Sequence, residues 1–363
     1  MRVKLEDVCE RGSSNIKQSD IIKMSGNYPI YGASGLAGKV NFYHQEQPYV
    51  AVVKDGAGIG RTTLNPAKSS VIGTMQYLIP KKNVLPEYLF YVVSYMHLEK
   101  YYTGATIPHI YFKDYKNEEF NLDNIEKQLE IIDVLGRCKK IIEARKQELV
   151  ELDSLTKARF VELFGDPRSN PFGFEKKRLK DTCKVITGNT PSRAIEEYYG
   201  DYIEWIKTDN IVSGILNPTQ ATESLSEKGM NVGRTVEKDS ILMACIAGSI
   251  ASIGRVCITD RTVAFNQQIN AVVPEQYNIL FLYELFQMSK YYLVEDINMA
   301  LKGILSKSKL EEKEFIIPPM DLQEQFSDFV KQVDKSKFDT MTLAPIYAII
   351  NLYLHTYFYQ GRR

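Results

Sequence analysis

The sequence element closest to a phosphate-binding loop is a glycine cluster in the first quarter of the chain. Gly56, Gly58 and Gly60 alternate with small or apolar residues after Asp55. A nucleotide loop of the Walker type needs a Gly-Lys-Ser/Thr ending and a helix directly after it. Neither follows here, so the cluster predicts a turn between two strands and not a cofactor site.

A second candidate for chemistry is the run Ile317-Pro318-Pro319-Met320, which is similar to the Pro-Pro core of an adenine methyltransferase active site. Such a site needs a preceding Asn or Asp for the exocyclic amine and a following aromatic residue to stack on the flipped base. Both are missing, which favours a proline break before a helix. Neither a Ser/His/acid set nor a nuclease carboxylate cluster stands out. The sequence therefore predicts no catalytic residues.

Metal binding and export are also not indicated. The five cysteines are an odd number without Cys-x-x-Cys spacing, and none of the four histidines forms a His-x-x-x-His pair. We expect free cysteines in a reducing compartment, no metal ligands, and a cytoplasmic protein, because the first residues contain no apolar signal region.

The charge of the chain neither indicates nor excludes nucleic acid as a partner. Its net charge is zero; residues 1–120 carry 14 Lys and Arg against 11 Asp and Glu, and residues 167–320 carry 18 against 19. A DNA-binding protein needs a local basic face more than a basic total.

The chain repeats itself at a spacing of about 175 to 197 residues. Residues 3–9 (VKLEDVC) are echoed by 177–183 (KRLKDTC), and Ile59-Gly60-Arg61 by Ile253-Gly254-Arg255. Each copy closes on an amphipathic segment, starting at 122 in the first and at 319 in the second. A period this long indicates two whole domains.

Between 124 and 164 apolar residues recur at threes and fours, which predicts a helix about 60 Å long. A surface helix of that length needs a partner, so the natural candidate is the similar helix that begins near 322. We expect the two to pair antiparallel; the alternative is that each packs on its own domain. In the first copy, residues 49–53 and 71–79 are typical of strands, and 86–100 of a helix.

These patterns predict an α+β protein: two similar globular domains separated by two long antiparallel, coiled-coil-like helices. The expected boundaries are 1–120, a first spacer helix at 121–166, a second domain at 167–320, the start of a second spacer helix at 321–338, and an atypical apolar tail at 339–363. No charged residue occurs from Thr340 to Gly361. The tail fits a buried helix, a partner-binding segment or a rearranged sequence, and is too short and interrupted for a membrane span.

Several of these motifs resemble the specificity subunits of type I restriction–modification systems. Residues 28–35 with 49–56 are similar to one class of their target recognition domains, and 187–192 with 205–211 to a second class. Residues 163–167 and 266–271 also match, in the right order. The tail after Phe338 departs from the family, which usually continues a charged helix there.

The resemblance implies a subunit that performs no catalysis. Each target recognition domain would read one half of a bipartite site in double-stranded DNA, and the helices would set the unread gap. Two adenine methyltransferase subunits, and also restriction-translocase subunits, would be the partners. This subunit would bind no cofactor; S-adenosylmethionine, ATP and Mg would belong to the partners.

The expected DNA contacts are polar side chains on loops, because direct readout needs groups that reach base edges. We expect the lysine-rich loop at residues 302–309 to be the strongest of them. Each has a structural alternative: Lys207 as a solvated edge residue, Arg61 and Arg255 as members of ion pairs. The candidates are Tyr31, Ser34, Lys39, Arg61, Thr106 and His109 in the first domain, and Thr190, Ser192, Arg193, Lys207, Thr208, Arg255, Lys302, Ser306, Lys307 and Lys309 in the second.

Three rival hypotheses remain. A truncated or rearranged specificity subunit would keep the fold and fail to hold its partners. A self-contained DNA methyltransferase would bind S-adenosylmethionine unaided, and a coiled-coil adaptor would show no sequence preference for DNA.

Overall fold

A computed structural model describes residues 1–22, 24–104, 107–297, 303–341 and 357–359. The chain divides into two compact units. Unit 1 comprises residues 1–146 and 341–363, and unit 2 comprises residues 147–340.

Unit 1 is built on short strands and shorter helices. Its strands are β1 (Arg2–Lys4), β2 (Cys9–Ser13), β3 (Tyr28–Gly32), β4 (Gly35–Val40), β5 (Tyr49–Val53), β6 (Thr62–Asn65), β7 (Ser70–Val71), β8 (Met75–Pro80) and β9 (Glu119–Asn121). Its helices are α1 (Leu5–Val8), α2 (Gln18–Ile21), α3 (Pro86–Ser94) and α4 (Phe112–Tyr115), followed by the long α5 (Ile125–Phe164), which continues into unit 2. The sheets run β2-β8-β5-β6, β4-β3-β7 and β1-β9.

The main core of unit 1 lies between β5 and α3. Every side chain of β5 is buried, and α3 covers the sheet with Leu89, Val92 and Val93. Phe358, from the far end of the chain, is fully buried in the same core, with its ring edge-on to Tyr88 at 5.5 Å. Unit 1 therefore incorporates a segment that lies more than 200 residues beyond the rest of its core.

Unit 2 contains the same kinds of element. Its strands are β10 (Glu175–Arg178), β11 (Cys183–Thr187), β12 (Tyr199–Gly200), β13 (Ile203–Ile206), β14 (Ser224–Leu225), β15 (Thr235–Val236), β16 (Ile241–Ala244), β17 (Val256–Ile258), β18 (Val263–Phe265), β19 (Ile269–Pro274) and β20 (Glu314–Ile317). Its helices are α6 (Glu227–Val232), α7 (Ile279–Met288), α8 (Lys290–Val294), α9 (Lys307–Glu312) and α10 (Met320–Met341). Short 3-10 helices occur in both units, at Leu98–Tyr101, Leu179–Asp181, Glu196–Tyr198 and Thr208–Asn210.

The two units share one sheet plan. The four-stranded sheet β11-β19-β16-β17 of unit 2 repeats β2-β8-β5-β6 of unit 1, and β10-β20 repeats β1-β9. Each unit also has one parallel strand pair, β3 with β7 and β13 with β18. The prediction of an α+β protein with two similar domains is confirmed.

Helix α5 is a single helix of 40 residues, and its last part pairs with α10 inside unit 2. Phe160 of α5 lies edge-on to Phe326 at 5.5 Å, whereas Asp153, earlier in α5, accepts an ion pair from Lys337 at 2.8 Å. Earlier residues of one helix thus meet later residues of the other, which is the predicted antiparallel arrangement. The ring of Phe281, from α7, stacks on Phe160 and anchors the pair to its own unit.

Each long helix is attached to a domain through a buried glutamine. Gln128 of α5 accepts a hydrogen bond from the Leu85 amide at 2.9 Å, and Gln323 of α10 accepts one from the Asn278 amide at 2.9 Å. Both side-chain amides also donate to backbone carbonyls, with Gln323 bonding to that of Pro318 at 2.8 Å. The same polar bond therefore joins the start of each long helix to the residue before α3 or α7.

The structure corrects two details of the expected elements. The helix predicted over 86–100 ends at Ser94, because His97 adopts a left-handed conformation (φ 51°), and a 3-10 turn follows. The strand predicted over 71–79 is split into β7 and β8 by a turn.

The apolar tail is described only in part. Helix α10 reaches Met341, residues 357–359 are helical within unit 1, and 342–356 and 360–363 lie outside the described residues. Within the described part of the chain, no helix combines the length and apolarity needed to cross a bilayer.

A buried carboxyl group lies beside the α5–α10 pair in unit 2. Burial raises the pKa of Glu284, in α7, to about 7; the positive charge of Lys337 opposes this shift, and the acidic Asp334 and Asp153 reinforce it. The folded state therefore favours the protonated form of the Glu284 carboxyl group.

Replacement of Gln323 by Leu should lower the free energy of unfolding of unit 2 by about 2–4 kcal/mol, because the Asn278 amide and the Pro318 carbonyl lose their partner. Urea denaturation followed by tryptophan fluorescence measures this, since the only tryptophan, Trp205, lies in unit 2. Gln332→Leu, at an exposed position of α10, is the matched control and should change stability by less than about 0.5 kcal/mol. Equal losses in both variants would contradict the anchoring role.

Glu284→Gln should flatten the pH dependence of stability. In the unfolded chain the carboxyl ionises near its ordinary pKa of 4.5, whereas in the fold it keeps its proton until about pH 7. The folded state binds more protons in this window, so wild-type stability should fall by up to about 3 kcal/mol as the pH rises through it. The same fluorescence assay across this range measures the slope. Glu324→Gln, exposed on α10, should keep the wild-type profile; a Glu284→Gln profile that also matches wild type would refute the assignment.

Candidate nucleic-acid interface

In unit 1 the predicted contact residues Ser34 and Arg61 line one open cleft. Ser34 is exposed at the turn of the β3–β4 hairpin, and Arg61 follows the glycine turn between β5 and β6. The Arg61 guanidinium donates to the Ala33 carbonyl at 3.1 Å, which fixes the hairpin against the glycine turn. Gly58 makes room for it, because a Cβ atom there would lie 2.1 Å from the guanidinium. The predicted turn between strands is confirmed.

The remaining candidates of unit 1 that the structure describes lie on the same hairpin or on the loop that contains His109. Tyr31 is half-buried in β3, Lys39 is exposed in β4, and Thr106 lies outside the described residues. His109 Nδ1 contacts Asp55 Oδ1 at 2.6 Å, and the imidazole ring stacks on Tyr111 at 6.2 Å.

In unit 2, two predicted cations converge on one carboxylate. Arg193 Nη2 donates to Glu223 Oε2 at 2.6 Å, and Lys207 Nζ donates to Glu223 Oε1. The Arg193 guanidinium lies over the rings of Tyr199 at 4.4 Å and Trp205 at 5.2 Å. Hydrogen bonds from Lys207 and then Arg193 lower the pKa of the Glu223 carboxyl below its ordinary value. The cluster therefore carries two positive charges and one negative charge at neutral pH.

Arg255 occupies the position in unit 2 that Arg61 occupies in unit 1. Its guanidinium donates to the carbonyl of Thr208, just after β13, at 3.3 Å, as Arg61 donates to the carbonyl of Ala33, just after β3. Arg61 and Arg255 thus have a structural role, but through hydrogen bonds to backbone carbonyls and not through the ion pairs considered as the alternative. In both units the arginine holds the segment that follows the parallel-paired strand.

Two further candidates of unit 2 lie on the loop after β11. The Thr190 hydroxyl bonds to Gln267, and Ser192 is exposed beside Arg193.

The lysine-rich segment at 302–309 is not the loop that was predicted. Its last three residues open α9, because the Ser306 side chain accepts the Lys309 amide at 3.3 Å as a helix cap. Lys307 pairs with Glu311 at 3.5 Å, and Lys309 donates to the Asp296 carbonyl at 3.3 Å. Lys302 lies outside the described residues. The fold thus places acidic residues beside lysines that the sequence presents as a basic run.

Sequence reasoning missed three residues of these surfaces. Glu223 lies far from Arg193 in sequence, and Tyr111 and Lys113 follow His109, with Lys113 Nζ at 5.4 Å from the Tyr111 ring. The alternation of Tyr111 and Lys113 next to His109 was the available signal for the latter two.

The family of the chain follows from comparison with known proteins. The family described as "Type I restriction modification DNA specificity domain" matches residues 1–153 and 171–346. The chain belongs to this family, which confirms the resemblance inferred from its motifs.

Two curated relatives are type I restriction enzyme specificity subunits. The HindI subunit of Haemophilus influenzae is 35% identical over 116 residues, covering 31% of this chain and 24% of that protein. The MjaIX subunit of Methanocaldococcus jannaschii is 26% identical over 281 residues, covering 70% of this chain and 63% of that protein. The matches thus span about a quarter and just under two thirds of these relatives.

Two solved structures share the fold. The S subunit of a type I system from M. genitalium superposes with a TM-score of 0.66 at 14% identity, over 100% of this chain and 96% of that one. A chain from a structure on complex assembly and conformational transition of the type I R-M system gives 0.57 at 14% identity, covering 98% and 97%.

Arg255→Met should loosen the segment after β13, because the Thr208 carbonyl loses its donor. We expect faster hydrogen–deuterium exchange at the amides of residues 207–211, measured by mass spectrometry of the full chain. Arg234→Met, an exposed arginine of the same unit, should leave this segment unchanged. Unchanged exchange in the Arg255 variant would contradict the anchor.

Proposed function

We propose that this chain is the DNA sequence-recognition subunit of a type I restriction–modification complex. Each unit reads one half of a bipartite target in double-stranded DNA, and the chain itself catalyses no reaction. The observation that carries the proposal is one sheet plan used twice with two different loop sets: an arginine anchors the equivalent segment in each unit, yet the exposed residues around it differ.

The chemistry of the exposed residues supports DNA as the ligand. Arginine, lysine and serine side chains on loops are the groups that contact phosphates and base edges. Unit 1 offers Ser34 and Lys39, and unit 2 offers Ser192 and Arg193. Because the loops differ, the two half-sites differ in sequence.

The proposed partners supply the reactions. Two adenine methyltransferase subunits hold S-adenosylmethionine, and restriction-translocase subunits use ATP and Mg, all in the cytoplasm and without a membrane. The antiparallel α5–α10 pair is the proposed frame for these contacts.

The complex with the adenine methyltransferase subunit should methylate a bipartite motif with an unspecified gap, and the purified chain alone should neither methylate DNA nor bind S-adenosylmethionine. Sequencing of methylated adenines reads out the motif, and pull-down tests assembly. Methylation by the chain alone would support a self-contained enzyme instead. Failure to retain the methyltransferase subunit would indicate a rearranged subunit, and the absence of any DNA preference a structural adaptor.

Ser34→Ala and Ser192→Ala should each relax the preference in one half of the motif, and not in the same half. Loss of the single neutral hydrogen bond that a serine hydroxyl makes should cost about 0.5–1.5 kcal/mol of discrimination. Competition binding with duplexes altered in one half at a time measures this, and each variant is the matched control for the other. If both variants relax the preference in the same half of the motif, the proposal that each unit reads one half-site is wrong.

A further inference from the structure

Glu223 lies between two cations that a phosphate group could also bind. Its two carboxylate oxygens take one cation each, Oε2 from Arg193 at 2.6 Å and Oε1 from Lys207. The two non-bridging oxygens of a phosphodiester make the same pair of charge-assisted hydrogen bonds. The carboxylate and an incoming phosphate therefore compete for the same donors.

The two cations are also held from their other side. Arg193 packs over Tyr199 and Trp205, and Lys207 Nζ lies 5.2 Å from the Trp205 ring centroid. Cation–π contacts of this kind attract the cations without neutralising them. Arg193 and Lys207 therefore keep their positions if the carboxylate moves away or is replaced by an amide.

Exposure makes the exchange possible. The side chain of Arg193 is 56% exposed and that of Glu223 is 35% exposed, so DNA can reach both. Trp205 is only 3% exposed, which leaves its ring to support the cations and not to stack on a base.

We infer that Glu223 suppresses non-specific DNA binding by unit 2, an inference that rests on the proposed function. Non-specific affinity comes almost entirely from phosphate contacts, and the carboxylate reduces the net charge of this cluster from +2 to +1. A phosphate takes both donors only after it displaces the carboxylate, so the cost of breaking these two ion pairs weakens binding. The residue thus weakens the part of DNA affinity that does not depend on sequence.

The test compares full-length wild type with Glu223→Gln on a mixed-sequence duplex, with affinity measured across a salt series. The amide keeps the shape of the side chain and removes its charge. The slope of log affinity against log salt should steepen by about 0.9, equal to roughly a further threefold loss of affinity between about 50 and 200 mM salt. At low salt the variant should bind mixed-sequence DNA more tightly than wild type.

Glu197→Gln is the matched control, because Glu197 is an exposed carboxylate of the same unit whose ion pair is with Lys228 and not with Arg193 or Lys207. It makes the same change in net charge. If both variants steepen the slope equally, the effect is that of total charge and the inference fails. If Glu223→Gln instead weakens target binding and leaves mixed-sequence binding unchanged, Glu223 reads a base directly, which also overturns it.

Failure of the proposed function gives a different result: wild type then prefers no motif over mixed sequence. A wild type with a clear preference and a Glu223→Gln variant with unchanged salt slope reject the inference alone. Thermal unfolding monitored at Trp205 separates these outcomes from a loss of folding.

Discussion

The buried glutamine at the start of each long helix is the constraint on which the arrangement of this molecule depends. A helix of 40 residues magnifies any error in the orientation of its first turn, and apolar packing alone tolerates some rotation. The amide of Gln128 or Gln323 tolerates little, because it must meet both an N–H group and a carbonyl in a nearly dry environment. The sheets could form without this bond, but the direction of the long helix would then be poorly defined.

The repeated architecture was predictable from the sequence because it depends on local periodicity. Two equivalent turns were predicted from the repeated Ile-Gly-Arg motif, at Ile59-Gly60-Arg61 and Ile253-Gly254-Arg255. The apolar spacing after residue 124 predicted α5 at nearly its observed length. What each arginine bonds to was not predictable, since the acceptors Ala33 and Thr208 approach only through the pairing of distant strands.

The same distinction applies to the surroundings of the expected DNA contacts. The run at 302–309 is basic in sequence, but the helix that begins at Lys307 pairs this lysine with Glu311 one turn later, and Lys309 donates to the carbonyl of Asp296. Conversely, Glu223 becomes part of a cationic surface because its backbone carbonyl accepts the Trp205 amide at 3.0 Å, which brings it between Arg193 and Lys207. The charge of a sequence segment predicts the charge of the surface around it only where no other charged segment packs against it.

The burial of Phe358 reverses the order in which the two units are completed. Unit 2 is continuous in sequence, whereas unit 1 includes Phe358, which packs against Tyr88. The Asn121 side chain also donates a hydrogen bond to the carbonyl of Tyr357, 236 residues later. Domains fold as the ribosome releases them, so the unit synthesised first is finished last. A chain that terminates before Phe358 leaves the first unit with an unfilled aromatic core, and an incompletely folded unit is a substrate for chaperones and proteases.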